Sequence, residues 1–344
     1  MATRIGILTG GGDCPGLNAV IRAVVRRADA FNMAVWGFRN GWQGVLEGTA
    51  EPLTLDSTRG ILHRGGTILG TSRVDPIATD GGVDRIRDAL EVHRLDGLVV
   101  VGGEGTLSAA TLLSDEHGLP VVGVPKTIDN DLGATQFTIG FSTALDVATE
   151  AIDRLHTTAE SHNRVMLLEV MGRHVGWIAT YAGIAGGADA ILIPEQPFDV
   201  RRIAKHLKHR HGMGRTFSIV VVAEGATPQP GTLDLPEYER DEFGRPVLGG
   251  IANHIAPVIE DLTGYSTRVT ILGHVQRGGS PNAFDRVLGS NMGVLAVDLA
   301  RAGEWGKMTA MQGNAVVPVD LREATRELKR VPQSLYDVAE VFFG

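Results

Sequence analysis

Two carboxylates and a hydroxyl stand close together in Thr127-Ile128-Asp129-Asn130-Asp131, just after the apolar run Pro120 to Val124. If that segment is extended, Asp129 and Asp131 face the same side. Adjacent carboxylates repel each other unless a cation or a substrate compensates. One of them could take a proton from a hydroxyl while the other orients that hydroxyl or a metal. The same residues would also make a pair of Asx-turns at a loop entrance. A second carboxylate site lies in Gly102-Gly103-Glu104-Gly105-Thr106. Glu104 could hold Mg²⁺ beside a polyphosphate, because Mg²⁺ takes one or two carboxylates and keeps several waters. Read alone, the segment is also a helix start, with Thr106 as cap and Glu104 favoured by the helix dipole.

Glycine surrounds these residues. The chain has 344 residues and 45 glycines, well above the usual level. Gly10-Gly11-Gly12-Asp13-Cys14-Pro15-Gly16 precedes a helical pattern, an arrangement that frees backbone N–H groups for a phosphate. No Gly-Lys-Ser/Thr follows, and the spacing of Gly10, Gly12 and Gly16 is not that of a dinucleotide fingerprint. A tight turn would need the same glycines. The net charge is −8, yet Arg73, Lys126, Arg164, Arg173, Arg268, His274 and Arg277 fall in or beside the glycine-rich segments. Arginine clustered with backbone donors suits phosphate recognition.

The elements that must position these residues follow one grammar. Apolar runs at Arg4–Thr9, Leu95–Val101, Pro120–Val124, Val165–Val170, Phe217–Val222 and Val269–Leu272 read as strands. Each runs into a polar or glycine-rich loop, and helical spacing follows several of them, as in Leu17, Val20, Ile21, Val24, Val25 and Ala28. Alternating strands and helices imply an α/β fold with mainly parallel sheets between helical layers. Ligands of such sheets bind beyond the carboxyl ends of the strands. We expect two Rossmann-like three-layer α/β/α domains whose sheets face a shared cleft. The expected division is 1–140 plus about 258–310 for one domain and about 141–257 plus 311–344 for the other. Gly225 to Arg245 reads as a surface loop.

Composition removes several classes. The acidic balance, 40 acidic against 32 basic residues, disfavours nucleic-acid partners. No apolar run suffices to cross a membrane. The single cysteine, Cys14, allows no internal disulfide and suits a reducing, cytoplasmic setting; it reads as a small loop filler. The run Arg201, Arg202, Lys205, His206, Lys208, His209, Arg210, His211 reads as a solvated helix face. The histidines show no H-E-x-x-H spacing, and no G-x-S-x-G elbow occurs.

In order along the chain, GGGDCPGLNAVIR, GGTILGTSR, GGEGT, PKTIDND, MGRHVGW, AEG and LGHVQRGGSP resemble the phosphofructokinase family. The likeness runs from Ile5 to about Gly289, and the C-terminal tail carries no motif. It implies transfer of a phosphoryl group to the 1-hydroxyl of fructose 6-phosphate, with Mg²⁺, in glycolysis. On this resemblance Asp129 is the general base, while Thr127 and Asp131 position substrate and Mg²⁺. Gly11, Arg73, Val74, Gly103, Glu104, Gly105 and Thr106 form the donor site, with Glu104 as Mg²⁺ ligand and Arg73 beside the transferring group. Met171, Gly172, Arg173 and Glu224 meet the sugar, and His274 and Arg277 its 6-phosphate. Arg164 and Arg268 reach a neighbouring subunit's site, which implies a homo-oligomer, a tetramer or a dimer. Common bacterial members carry Asp where this chain has Glu104.

The resemblance leaves the donor to two markers. Pyrophosphate users typically have Asp at position 105 and Lys at 126, whereas ATP users of the common bacterial type have Gly at both. This chain has Gly105 and Lys126. Glycine leaves room for the α-phosphate of ATP, so ATP is the expected co-substrate and pyrophosphate the alternative. The bacterial effector site is matched at Arg22 and Arg26, but His156 replaces an arginine. Two other readings compete: a dinucleotide-dependent oxidoreductase, which the loop spacing opposes, and a non-catalytic sensor, which would not need Asp129 and Glu104 together.

Overall fold

The computed structural model describes residues 2–236 and 248–343. In chain order the strands are β1 (Arg4–Thr9), β2 (Ala34–Phe38), β3 (Ala50–Leu53), β4 (Gly97–Gly102), β5 (Val121–Pro125), β6 (Val165–Val170), β7 (Ala190–Leu192), β8 (Ser218–Ala223), β9 (Thr267–Ile271), β10 (Lys307–Gln312) and β11 (Ala315–Asp320). The helices are α1 (Leu17–Asp29), α2 (Trp42–Glu47), α3 (Gly82–Val92), α4 (Glu104–Asp115), α5 (Phe141–His162), α6 (Trp177–Ala185), α7 (Val200–Gly212), α8 (Ile251–Thr263), α9 (Ala283–Ala302), α10 (Leu321–Thr325) and α11 (Gln333–Glu340). No described helix is long and apolar enough to cross a membrane.

The chain divides into two units, Met1–Thr143 with Arg277–Lys329, and Ala144–Gln276 with Arg330–Gly344. The first unit holds a seven-stranded sheet of order β11-β10-β5-β4-β1-β2-β3. Its centre is parallel, and antiparallel pairs close both edges, β2 with β3 and β10 with β11. The central strands are buried along their length, so β4 reads as an unbroken apolar run, as expected of a sheet covered on both faces. The second unit holds a four-stranded parallel sheet of order β7-β8-β6-β9. Its core gathers Val165, Leu167, Val220 and Val222 against Leu207 of α7 and Ile255 and Ile259 of α8.

The expected domain boundaries are corrected at two places. Residues 258–276 belong to the second unit, because β9 pairs with β6. Residues 311–329 belong to the first, because β10 pairs with β5 and carries β11 with it. Of the loop expected over Gly225 to Arg245, residues 237–245 lie outside the described residues. The α7 surface is corrected as well. Arg210 is largely buried in an ion pair with Asp189, and His211 stacks on Tyr265 at 3.8 Å between ring centroids. One side of this basic helix is therefore structural.

Buried carboxylates fasten helix starts. Asp285 accepts from the N–H groups of Gly140 (2.9 Å) and Thr143 (2.8 Å) at the start of α5. Glu169 on β6 accepts from Gly250 (2.7 Å) and Ala252 (2.9 Å) at the start of α8. Each carboxylate satisfies N–H groups that a helix leaves without internal partners.

Candidate active site

In the first unit the loops after β1, β4 and β5 are tied into one another. The Gly10 N–H donates to Val101 O, and Gly11 N–H to Ser72 O, both at 2.9 Å. The Lys126 N–H donates to Gly102 O at 2.9 Å. Close approach explains the glycines. A Cβ on Gly12 would stand 2.5 Å from Arg277 Nη1, and one on Gly102 would stand 2.4 Å from Thr106. Arg277 Nη1 also donates to Asp13 O at 3.4 Å.

Thr106 is not the helix cap. Helix α4 begins at Glu104, Gly103 is the N-cap without a side-chain bond, and Thr106 is buried beneath Gly10 and Gly102. Glu104 lies exposed in the first turn and accepts from Ser108 Oγ at 3.1 Å. Gly105 is exposed, and a Cβ there would meet no heavy atom within 4 Å. Arg73 is exposed, and Val74 packs on the first unit's core.

Lys126 is buried at 2% exposure, and its Nζ donates to Gly12 O at 2.6 Å. Burial lowers its pKa, and the nearby Cys14, Asp13 and Asp131 oppose that shift. Cys14 is fully buried, and burial raises its thiol to about 12, so it acts as filler.

The Thr127–Asp131 segment is tied to its own residues and to Thr138. Thr127 Oγ1 accepts from the Asp129 N–H at 3.1 Å, and Thr127 O accepts from Thr138 Oγ1 at 2.6 Å. Asn130 is left-handed (φ 53°), and its Oδ1 accepts from the Thr138 N–H at 3.0 Å. Asp131 Oδ1 is buried without a hydrogen-bond partner. Burial raises the Asp131 carboxyl to about 7, and the charges of Asp129 and Glu104 add to that. The expected crowding of carboxylates is met at Asp131, which feels the charges of both Asp129 and Glu104.

Sequence reasoning missed Lys329. Its Nζ donates to Asn130 Oδ1 (2.9 Å), Thr135 O (2.8 Å) and Gln136 O (3.0 Å). Its own N–H donates to Asp131 O at 2.8 Å. Burial lowers its ammonium to about 7 against the pull of Asp131. A lone lysine in a polar tail carries no signal of such a role.

In the second unit, two loops interlock at the carboxyl ends of β6 and β8. The Glu224 N–H donates to Val170 O (2.8 Å) and the Gly225 N–H to Gly172 O (3.1 Å). Gly172 has φ 144°, and a Cβ there would stand 2.7 Å from Val175 O. Met171, Gly172, Arg173 and Glu224 are thus brought together. The Met171 N–H also meets Gln276 Oε1 at 3.3 Å, which ties in the turn Gly273–Arg277 that carries exposed His274.

Arg164 and Arg268 are not with them. Arg164 precedes β6, and Arg268 pairs in register with Met166 near the start of that strand. They sit at the amino ends, and a six-residue strand spans about 20 Å. The expectation that these cations fall in or beside the glycine-rich segments is corrected for this pair, which lies at the opposite strand ends from those loops.

The phosphofructokinase family model matches residues 4–300. This chain belongs to the phosphofructokinase family. Among its relatives, the pyrophosphate–fructose 6-phosphate 1-phosphotransferase of Streptomyces coelicolor is 53% identical over 342 residues, covering 99% of this chain and all of that protein. The ATP-dependent 6-phosphofructokinase of Mycobacterium tuberculosis is 54% identical over 343 residues, with the same coverage. The crystal structure of Pichia pastoris phosphofructokinase in the T-state superposes with a TM-score of 0.83 at 33% identity. It covers 99% of this chain, while this chain spans 36% of the yeast chain. Identity therefore assigns the family and leaves the phosphoryl donor open, since relatives named for either donor are equally similar. The α/β architecture with two mostly parallel sheets is the family's.

Proposed function

We propose that this chain is an ATP-dependent 6-phosphofructokinase that phosphorylates the 1-hydroxyl of fructose 6-phosphate and works as a homo-oligomer. The observation that carries the choice of donor is the contrast between positions 105 and 126. Lys126 is buried and already donates to Gly12 O, so it has a structural duty that either donor permits. Gly105 faces open space in the first turn of α4, where an aspartate would set a carboxylate against the α-phosphate of a nucleotide. Glycine leaves that approach open.

The residues fit a Mg²⁺-bound donor. Glu104 is exposed and adjacent in charge to the buried, unpartnered Asp131 Oδ1. Mg²⁺ needs only one or two carboxylates together with the donor's own phosphates. When bound, Mg²⁺ neutralises charge on the phosphoryl oxygens. Glu104 would hold it, with Asp131 and Thr127 orienting the acceptor side. Asp129 takes the proton from the sugar's 1-hydroxyl as that oxygen attacks. Arg73 neutralises the transferring group, since phosphoryl transfer needs positioning and electrostatic support more than covalent help. Backbone N–H groups around Gly11 and Gly103 cradle the donor. Met171, Gly172, Arg173 and Glu224 hold the sugar, and His274 and Arg277 its 6-phosphate. Arg164 and Arg268, at the far strand ends, serve a neighbouring subunit.

The deciding experiment compares ATP with pyrophosphate, each with fructose 6-phosphate and Mg²⁺, by release of ADP or orthophosphate. ATP should support turnover and pyrophosphate little. A preference for pyrophosphate overturns the reading and makes Lys126 the stronger marker.

A further inference from the structure

We propose that Lys329 is a positioning residue that fixes the Asp129–Asp131 loop through Asn130. The inference rests on the reading of Asp129 as the base. It concerns a part of the chain that the family model, ending at residue 300, does not match.

An ammonium has three N–H donors and no acceptor. Lys329 uses them on three oxygens of one short segment, Asn130 Oδ1, Thr135 O and Gln136 O. The same chain segment grips the loop elsewhere. The Lys329 N–H donates to Asp131 O, and the Gly133 N–H donates to Ala324 O at 3.0 Å. The Met311 N–H donates to Thr135 Oγ1 at 3.0 Å, and the Gln136 N–H donates to Met311 O at 2.9 Å. A Cβ on Gly133 would stand 2.7 Å from Glu323 O, so the contact is close enough to require glycine.

Asn130 transmits the grip. Its Oδ1 lies between Lys329 and the Thr138 N–H, and its Nδ2 donates to Gln136 O at 3.2 Å. It stands directly between Asp129 and Asp131 in a left-handed backbone conformation. Such a residue sets the direction of both neighbours. A neutral, shorter or missing side chain at 329 would take a donor from Thr135 O, leave Asn130 Oδ1 held by Thr138 alone and let the loop drift, and small displacements of a reacting group are heavily penalised in rate.

The test uses Lys329→Met, Asn130→Gly and the double variant in the full-length enzyme. Glycine at 130 keeps the left-handed backbone while removing the amide. Turnover is divided by the number of fructose 6-phosphate sites titrated calorimetrically, so loss of folded protein does not count as loss of rate. Lys329→Met should lower kcat per site by about 10–100-fold, with both KM values within about threefold. The double variant should be no slower than the worse single, because both act on one contact. An unchanged kcat per site, or additive losses, overturns the proposal. Should Lys329→Met fail to fold, Asn130→Gly decides alone: a tenfold loss per site supports the clamp, and parental turnover sinks it. Asp129→Ser is measured alongside. If that variant keeps parental turnover the base assignment falls, while coupling of Lys329 to Asn130 is still read from the cycle.

Discussion

The two units treat their polar loops differently. In the first, many polar atoms of these loops are held within the protein: Gly10 and Gly11 by backbone bonds, Lys126 by Gly12 O, Asn130 by Thr138 and Lys329. In the second, Glu224 and Met171 are fixed by their backbones, but His274 is exposed, and Arg268 is half-exposed with Glu260 only 3.7 Å away. On the proposed roles, variants of the first unit's loops should lower kcat and variants of the second unit's cations should raise KM.

The sharpest way to break that contrast is Asp129→Ser. It should lower kcat by about 10²–10⁴-fold while fructose 6-phosphate still binds by calorimetry. Turnover within a few-fold of the parent would remove the chemical distinction between the units.

Next in size is Gly105→Asp. No protein atom resists the new side chain, so stability should hold while kcat/KM for ATP falls by about 10-fold or more through like-charge repulsion. With Lys126 already present, pyrophosphate turnover should rise. Unchanged ATP kinetics would disconnect position 105 from the donor.

Arg268→Ser tests the second unit. Its surface pairing contributes little to stability, so the melting temperature should stay within about 1–2 °C. KM for fructose 6-phosphate should rise about 10-fold, the worth of one charge-assisted contact. Mixing Arg268→Ser chains with Asp129→Ser chains should restore activity if the arginine serves a neighbour. No recovery after verified subunit exchange rejects the shared site.

The smallest effect is a pH dependence. Asp131 is raised from 3.8 to about 7, chiefly by burial, so its ionised form is disfavoured in the folded chain. The folded state therefore binds that proton more tightly than the unfolded state, so stability is lost as the pH rises from about 3.8 to about 7 and is level above that. Asp131→Asn in EDTA should melt a few degrees higher than the parent at pH 8. The difference should shrink as the pH falls through 7 and approach zero only below about pH 4. A constant difference would mean that the cost of ionising Asp131 does not reside in this loop.

Much of this was legible in the sequence. The strands before the glycine loops fall within two residues of their expected limits, because buried parallel strands are unbroken apolar runs. The site loops followed from their position after those strands. What escaped has a common cause. Strand β10 and residue Lys329 act through partners almost two hundred positions away, β11 joins the sheet only by way of β10, and a short amphipathic strand or a lone lysine does not announce a distant acceptor. The placement of Arg164 and Arg268 was misread because adjacency to a loop in sequence does not say which end of a strand a residue occupies. Arg210 was taken for a solvated charge because its partner, Asp189, lies on the loop before another strand.

The separation of the loop from its clasp also bears on when a nascent chain becomes an enzyme. Lys329 Nζ and Gln136 O are 193 residues apart. At about 5–20 residues per second on the ribosome, the interval between making the loop and making its clasp is roughly 10–40 s. Throughout that time the sugar-phosphorylating machinery would exist as sequence without its final geometry. A chain interrupted before residue 329 would thus have lost the loop's fastening, which ties the onset of activity to the end of synthesis.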